Sequence, residues 1–318
     1  MARPTAGRLP WWEEDVTVIN FHRTIAAALE EVQSMDNSAL RALQARAFVS
    51  TVMVSTEVDN IPVSIITPEE ICRHLTRIYE EILQQCPSNR PLRAPQLHIF
   101  ETYNHEWSLH CIGPPPVVLS RLSQYLKALM FLCIYHRDDP LDMGLLKRTH
   151  YILMRGFRAH NRHIQPGCFR DCSFNDCGVF LIHEIAMRTS IDDMLSRLRG
   201  INSDEDLDDV DRSFFKFPDR LASLLHDMTH IQPFVVGNSW MCRLIMAHFL
   251  VSRDKFQFPI PIAPIKDRLC EQFVHTLFGA DNKDLQDHED VGFGRERTIL
   301  SAFLLECVYD SLEELINA

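Results

Sequence analysis

The chain has 318 residues, 46% of them hydrophobic, enough for one large core or two smaller ones, and its 24% charged residues are ordinary for a globular protein. A formal net charge of −11 argues against a basic surface for non-specific nucleic-acid binding. The opening stretch MARPTAGRLPWWEEDV lacks the apolar run of a signal peptide.

In chain order, Trp11 and Trp12 come first, as an anchor for the N-terminus or part of an interface. Val16–Met35 then reads as a helix rich in Ala, Leu and Glu. Ser38 is the expected cap of a second helix running to Val58, with Leu40, Leu43, Phe48, Val52 and Val54 inward. Thr67-Pro68-Glu69-Glu70 is a helix start: a hydroxyl cap, then proline at the first helical position. That helix ends near Cys86-Pro87, and residues 94–116 are looser. Val117–Tyr135 is the most apolar segment, but Arg121 and Lys127 interrupt it, so a buried core helix is expected rather than a membrane span. Further helices are predicted at 141–155, 185–199, 217–231, 238–253, 265–278 and 296–316.

Between Gly156 and Ile185 the period changes. Gly167-Cys168-Phe169-Arg170 and Cys177–Ile182 read as a short β-hairpin in an otherwise helical protein. Cys168, Cys172 and Cys177, preceded by His160 and His163, lack the paired spacing of a zinc ribbon, so no metal is expected there. The acidic run Ser203–Asp211 reads as a solvated loop, since no glycine supplies the turn of a calcium site. The ten cysteines read as reduced thiols of an intracellular, cytoplasmic protein.

The stretch His230–Leu244, HIQPFVVGNSWMCRL, joins two predicted helices through a tight loop at Gly237-Asn238. A loop entering a helix N-terminus commonly holds a phosphate, and Asn238 is a suitable cap. The loop resembles the Fic (Fido-fold) signature HPFx(D/E)GNGRxxR. Pro233, Phe234, Gly237, Asn238 and Arg243 match it. Gln232 stands at the catalytic His, Val236 at the metal-holding acid, Ser239 at a Gly and Trp240 at the first Arg. Flanking segments agree in order: Leu145–Gly156, Gly167–Arg170, Leu221–Ile231 and Phe258–Arg268. Ser55, Asp59 and Asn60 resemble the family's inhibitory pattern (S/T)xxxE(G/N), with Asp for Glu.

The resemblance implies a mainly α-helical Fic-like domain over 106–318, with motif loop 232–243 and a flap over about 160–183 that includes Phe169 and Arg170. It also implies an N-terminal helical region, 1–105, with a candidate inhibitory helix at 38–60 whose Asp59 would pair with Arg243. Fic proteins transfer AMP from ATP to a hydroxyl of a target protein. Gln232 cannot serve as general base, Val236 offers a metal no oxygen, and Trp240 carries no charge. His230, two residues before the catalytic position, is rotated about 200° from it on a helix and shares a face with His226.

Three readings follow. The first is a Fic-like pseudoenzyme that acts by binding a partner protein, possible through the flap, with homodimerisation also possible and no cofactor. The second is an atypical nucleotidyl transferase or nucleotide-binding regulator, in which Gly237, Asn238, Ser239, Trp240 and Arg243 hold ATP with Mg. The third is a structural helical protein whose loop matches by accident.

Overall fold

The computed structural model describes residues 15–58, 66–87, 92–106, 114–157, 165–170, 184–200, 217–253, 256–262 and 295–317. The described elements are helices: α1 (Asp15–Ser34), α2 (Asn37–Val58), α3 (Pro68–Gln85), α4 (Ala94–Glu101), α5 (Pro115–Met130), α6 (Met143–Leu153), α7 (Glu184–Gly200), α8 (Phe217–Ile231), α9 (Asn238–Arg253) and α10 (Arg295–Asn317). The predicted helix at 265–278 lies outside the described residues, as does the second arm of the predicted hairpin. Its first arm, Gly167–Arg170, follows a turn, and no strand is assigned among these described residues.

Local chemistry fixes several boundaries. At α3 the Thr67 side chain accepts from the Glu70 N–H at 3.2 Å, and the Glu70 carboxylate accepts from the Thr67 N–H at 3.1 Å. This reciprocal box satisfies two amides that the helix start leaves without partners. At α2 the expected cap, Ser38, is inside the helix. Asp36 does the capping instead, accepting from the N–H groups of Ser38 and Ala39 at 2.7 and 2.8 Å. Those bonds favour the carboxylate and lower the Asp36 pKa. Asp142 caps α6 through the Leu145 N–H at 2.6 Å.

Helix α5 is the axis of the molecule. It packs against α2, α3, α4, α6 and α9 and buries Leu122, Tyr125, Leu126, Leu129 and Met130. A helix with neighbours on every side needs no polar face, which explains its apolar sequence. Pro115–Tyr135 is long and apolar enough to cross a membrane, yet 78% of its apolar window is buried within the protein. One π-helical turn, Phe131–Tyr135, ends it. Helices α8 and α9 form an adjacent pair, α10 lies along α8 and α1, and α7 packs on α8. One hydrophobic cluster runs from Phe21 and Leu43 in the N-terminal helices through Leu126 and Phe234 to Leu312. The loop between α8 and α9 is thus held inside this bundle, next to α6.

Candidate functional site

The motif loop begins where α8 stops. Gln232 takes a left-handed backbone, φ +40°, and its N–H still bonds the Met228 carbonyl at 3.1 Å. A left-handed residue after the last helical turn is a common stop, but it costs a non-glycine residue roughly 1–2 kcal/mol. It also leaves helix-terminal carbonyls to be satisfied. Arg170 satisfies two of them. Its Nε donates to the Gln232 carbonyl at 2.9 Å and a terminal nitrogen donates to the Ile231 carbonyl at 3.2 Å. The Arg170 N–H also donates to the Pro233 carbonyl at 2.9 Å. Arg170 is only 1% exposed. Its charge lies at the negative end of the α8 dipole, where a cation is favoured. The arginine expected on the flap is therefore the clamp of the motif loop.

Phe234 comes next and is fully buried. Its ring stacks on the His150 imidazole, 3.8 Å between centroids and 7° between planes. On another side Phe169 tilts against it at 5.3 Å. Asn238 binds the Phe234 backbone twice: Oδ1 accepts its N–H at 3.0 Å and Nδ2 donates to its carbonyl at 2.7 Å. Only a side chain with both a donor and an acceptor can do this. The expectation that Asn238 caps α9 is corrected here. Gly237 occupies the cap, its carbonyl accepting the first helical bond from the Met241 N–H at 2.9 Å, while Asn238 bonds back across the loop.

Gly237 has φ +79°. A Cβ built on it would lie 3.1 Å from the Met154 sulfur and 3.5 Å from His150 Nε2. Both the backbone and the close approach demand glycine.

His150, on α6, is the hub. Nε2 lies 3.0 Å from the Val236 carbonyl and Nδ1 accepts the Gly167 N–H at 2.9 Å. A carbonyl can only accept and an amide N–H can only donate. The neutral tautomer with its proton on Nε2 is therefore fixed. Burial pushes the His150 pKa down to about 4. One ring thus joins α6, the Gly167–Arg170 segment and the motif loop. Sequence reasoning missed it, although the signal was present: His150 sits on the apolar stripe of α6 with Leu146 and Leu153.

The remaining motif positions divide into buried and exposed groups. The Val236 side chain is 5% exposed and its carbonyl is held by His150. Trp240 is 5% exposed. Its ring meets Tyr125 edge-on at 5.9 Å and lies under the Arg121 guanidinium at 4.4 Å. Trp240 therefore faces inward against α5, with Arg121 over it, a cation that sequence reasoning had not placed there. Ser239 is exposed, and its hydroxyl accepts from Arg243 at 2.9 Å.

Ser55 is buried. It donates to the Thr51 carbonyl at 2.8 Å and meets the Tyr125 hydroxyl at 3.0 Å. The end of α2 is thereby linked through Tyr125 to Trp240. Asp59 and Asn60 lie outside the described residues, and with them the expected pairing with Arg243. His226 and His230 do share a helix face, with centroids 4.2 Å apart, and His230 is exposed. Among the described residues no three His, Cys, Asp or Glu side chains are placed to hold a metal. Cys168 is exposed, while Cys172, Cys177, His160 and His163 lie outside the described residues.

Known proteins resolve the class. The profile of the Fic/DOC family matches residues 140–250, the stretch that holds His150, Arg170 and the whole motif loop. None of the curated proteins matches the chain. Among solved structures, a Fic domain containing signaling protein from Bacteroides thetaiotaomicron VPI-5482 superposes with TM-score 0.57 at 11% identity, over 93% of this chain and 96% of that one. A Fic family protein from Desulfovibrio desulfuricans G20 gives 0.55 at 16% identity, over 99% and 77%. Fic-1 from C. elegans gives 0.55 at 12%, over 95% and 73%. These likenesses are of fold. Residues 140–250 thus match the Fic/DOC family, and the chain shares the helical fold of these solved Fic proteins.

Proposed function

We propose that this Fic-like chain is a pseudoenzyme that works by binding a partner protein rather than by transferring AMP. The observation that carries this reading is the state of the motif loop. Its turn-forming residues Pro233, Phe234, Gly237 and Asn238 are present, and the loop is braced by Arg170 and His150. At the three positions where the family's chemistry resides stand Gln232, Val236 and Trp240. An amide takes no proton from an attacking hydroxyl, and general-base help is worth about 10²–10⁴-fold. A buried valine gives Mg no oxygen, and a tryptophan packed against Tyr125 neutralises no phosphate. These losses fall on separate catalytic needs, so no single neighbour restores them. His230 is exposed on the His226 face of α8. On this reading the protein is cytoplasmic, needs no cofactor, and meets its partner near the flap, or a second copy of itself.

One observation favours a second reading, a nucleotide-binding regulator. Ser239 and Arg243 sit together in the first turns of α9, where a helix N-terminus favours anions. Incubation with α-labelled ATP and Mg separates the two. The pseudoenzyme reading expects no label on the protein or on added targets. Transfer by the wild-type chain would overturn it. Saturable ATP binding that fails in Arg243→Ala, without transfer, would establish the second reading.

A further inference from the structure

A surface strip beside the motif loop is unlike the rest of this acidic protein. Residues 143–170 contain no Asp or Glu, in a chain whose net charge is −11, and apart from the buried Arg170 the described cations of this stretch are Lys147, Arg148 and Arg155. The described part of this stretch arranges its cations against aromatic rings. The Lys147 ammonium sits 4.6 Å over the Phe169 ring. Tyr151 lies between Arg148 and Arg155, at 5.5 and 5.0 Å. Arg155 also covers Tyr103 at 5.6 Å. Gly167 closes the gap: a Cβ there would lie 2.9 Å from the Tyr151 Cβ and 3.1 Å from the Lys147 carbonyl. The strip is therefore continuous from Phe169, which touches Phe234 of the motif loop, to Tyr103.

Tyr103 is 39% exposed and is the one exposed large hydrophobic side chain among the described residues. The Arg148 side chain is 40% exposed although it is paired with Glu101. Glu101 joins the strip from α4, pairing with Arg148 and accepting from Arg155 through its carbonyl.

We propose that this strip, α6 with Phe169 and Tyr103, docks an extended, carboxylate-rich segment of a partner protein. The proposal rests on the reading of the chain as a binding protein and names the chemistry of its partner. Charge complementarity is the first argument: a locally positive strip on a negative protein selects and orients an acidic segment. The second is that cations held over ring faces are kept in place and partly desolvated, which strengthens their attraction to a carboxylate. The third is length. From Lys147 to the end of α6 at Leu153 the helical rise is about 9 Å, the reach of roughly three extended residues. Nucleic acid fits less well, because the faces of Tyr151 and Tyr103 are covered by the protein's own cations rather than offered to bases.

The test is fluorescence anisotropy on the full chain with a labelled ten-residue peptide of alternating Glu and Ser. The same peptide with Gln for Glu and a thymidine oligonucleotide of equal length serve as comparisons. Saturable binding of the Glu peptide is expected, with the Gln peptide weaker by about tenfold or more. Lys147→Glu should weaken the Glu peptide about tenfold and Lys147→Gln by less, while Arg23→Glu, the same charge change at an exposed position of α1, leaves it unchanged. Tyr103→Ala should weaken it as well, at an exposed position where the core is not disturbed. Equal weakening by Arg23→Glu and Lys147→Glu would reduce the effect to net charge and overturn the proposal. Absence of binding, or tighter binding of the oligonucleotide, would overturn it too. AMP transfer by the wild-type chain would sink the pseudoenzyme reading while leaving the peptide result to stand by itself.

Discussion

His150 and Phe234 lie face to face, 3.8 Å apart and within 7° of parallel, although 84 positions separate them in sequence. The same imidazole bonds the Val236 carbonyl and the Gly167 N–H. The stack sets where the motif loop lies on α6, and the two bonds set how it is turned. Truncation to His150→Ala removes both at once. It leaves a cavity and two buried backbone groups without partners, so a loss of about 3–5 kcal/mol is expected. His150→Phe keeps a ring to stack but no nitrogen, and should fall between the two. Urea unfolding of the three proteins measures the order.

The same histidine makes stability pH-dependent. Burial lowers the pKa of His150 from 6.5 to about 4, and that of His22 likewise. Between those values the unfolded chain binds more protons than the folded one, so stability rises with pH. The stabilisation relative to acid is complete above pH 6.5 and drains away as pH falls toward 4. Each group contributes on the order of 3 kcal/mol. A melting series across this window should show the fall, and His150→Phe should flatten part of it.

Arg170 is fully engaged with the end of α8 through Ile231, Gln232 and Pro233. Arg170→Met fills similar space but leaves two carbonyls unsatisfied, and should cost about 3 kcal/mol or more. Arg170→Lys keeps the charge without the fork and should recover only part. Because the backbone bond to Pro233 survives, helix content by circular dichroism should persist while the melting temperature drops.

Gly237→Ala should destabilise by about 1–3 kcal/mol, from the left-handed backbone and from the Met154 sulfur. Gly237→Ala combined with Met154→Ala separates these causes. Relief in the double variant, compared with the sum of the singles, assigns the steric share, and denaturant midpoints supply the numbers.

Much of the fold was legible. The box at Thr67 and Glu70 is written in four adjacent residues, and apolar spacing placed most helices within two residues of their observed ends. The motif loop was legible for the same reason, being a short contiguous string. The short helix α4, Ala94–Glu101, lies in a stretch the sequence reads as looser, and the rest of what escaped was carried by distance or by competition. Arg121 over Trp240 spans more than a hundred positions, and no local period announces it. His150 was visible only as a polar residue on an apolar stripe. Asp36 outcompeted Ser38 because its carboxylate reaches two amides at once. Asn238 looked like a cap because asparagine often is one. Here both ends of its amide are taken by Phe234, and Gly237, free to adopt φ +79°, takes the cap.

Calorimetric titration of ATP, with and without Mg, into the wild-type chain, Asp59→Ala and Arg243→Ala tests the central claim most directly. A motif loop that keeps its frame without its chemistry is expected to bind no ATP productively: no saturable heat in the wild type, and no Mg dependence. Heat that appears only in Asp59→Ala would mean that Asp59 guards a pocket still fit for nucleotide. Tight, Mg-dependent binding by the wild type, lost in Arg243→Ala, would contradict the pseudoenzyme account and return the site to nucleotide chemistry.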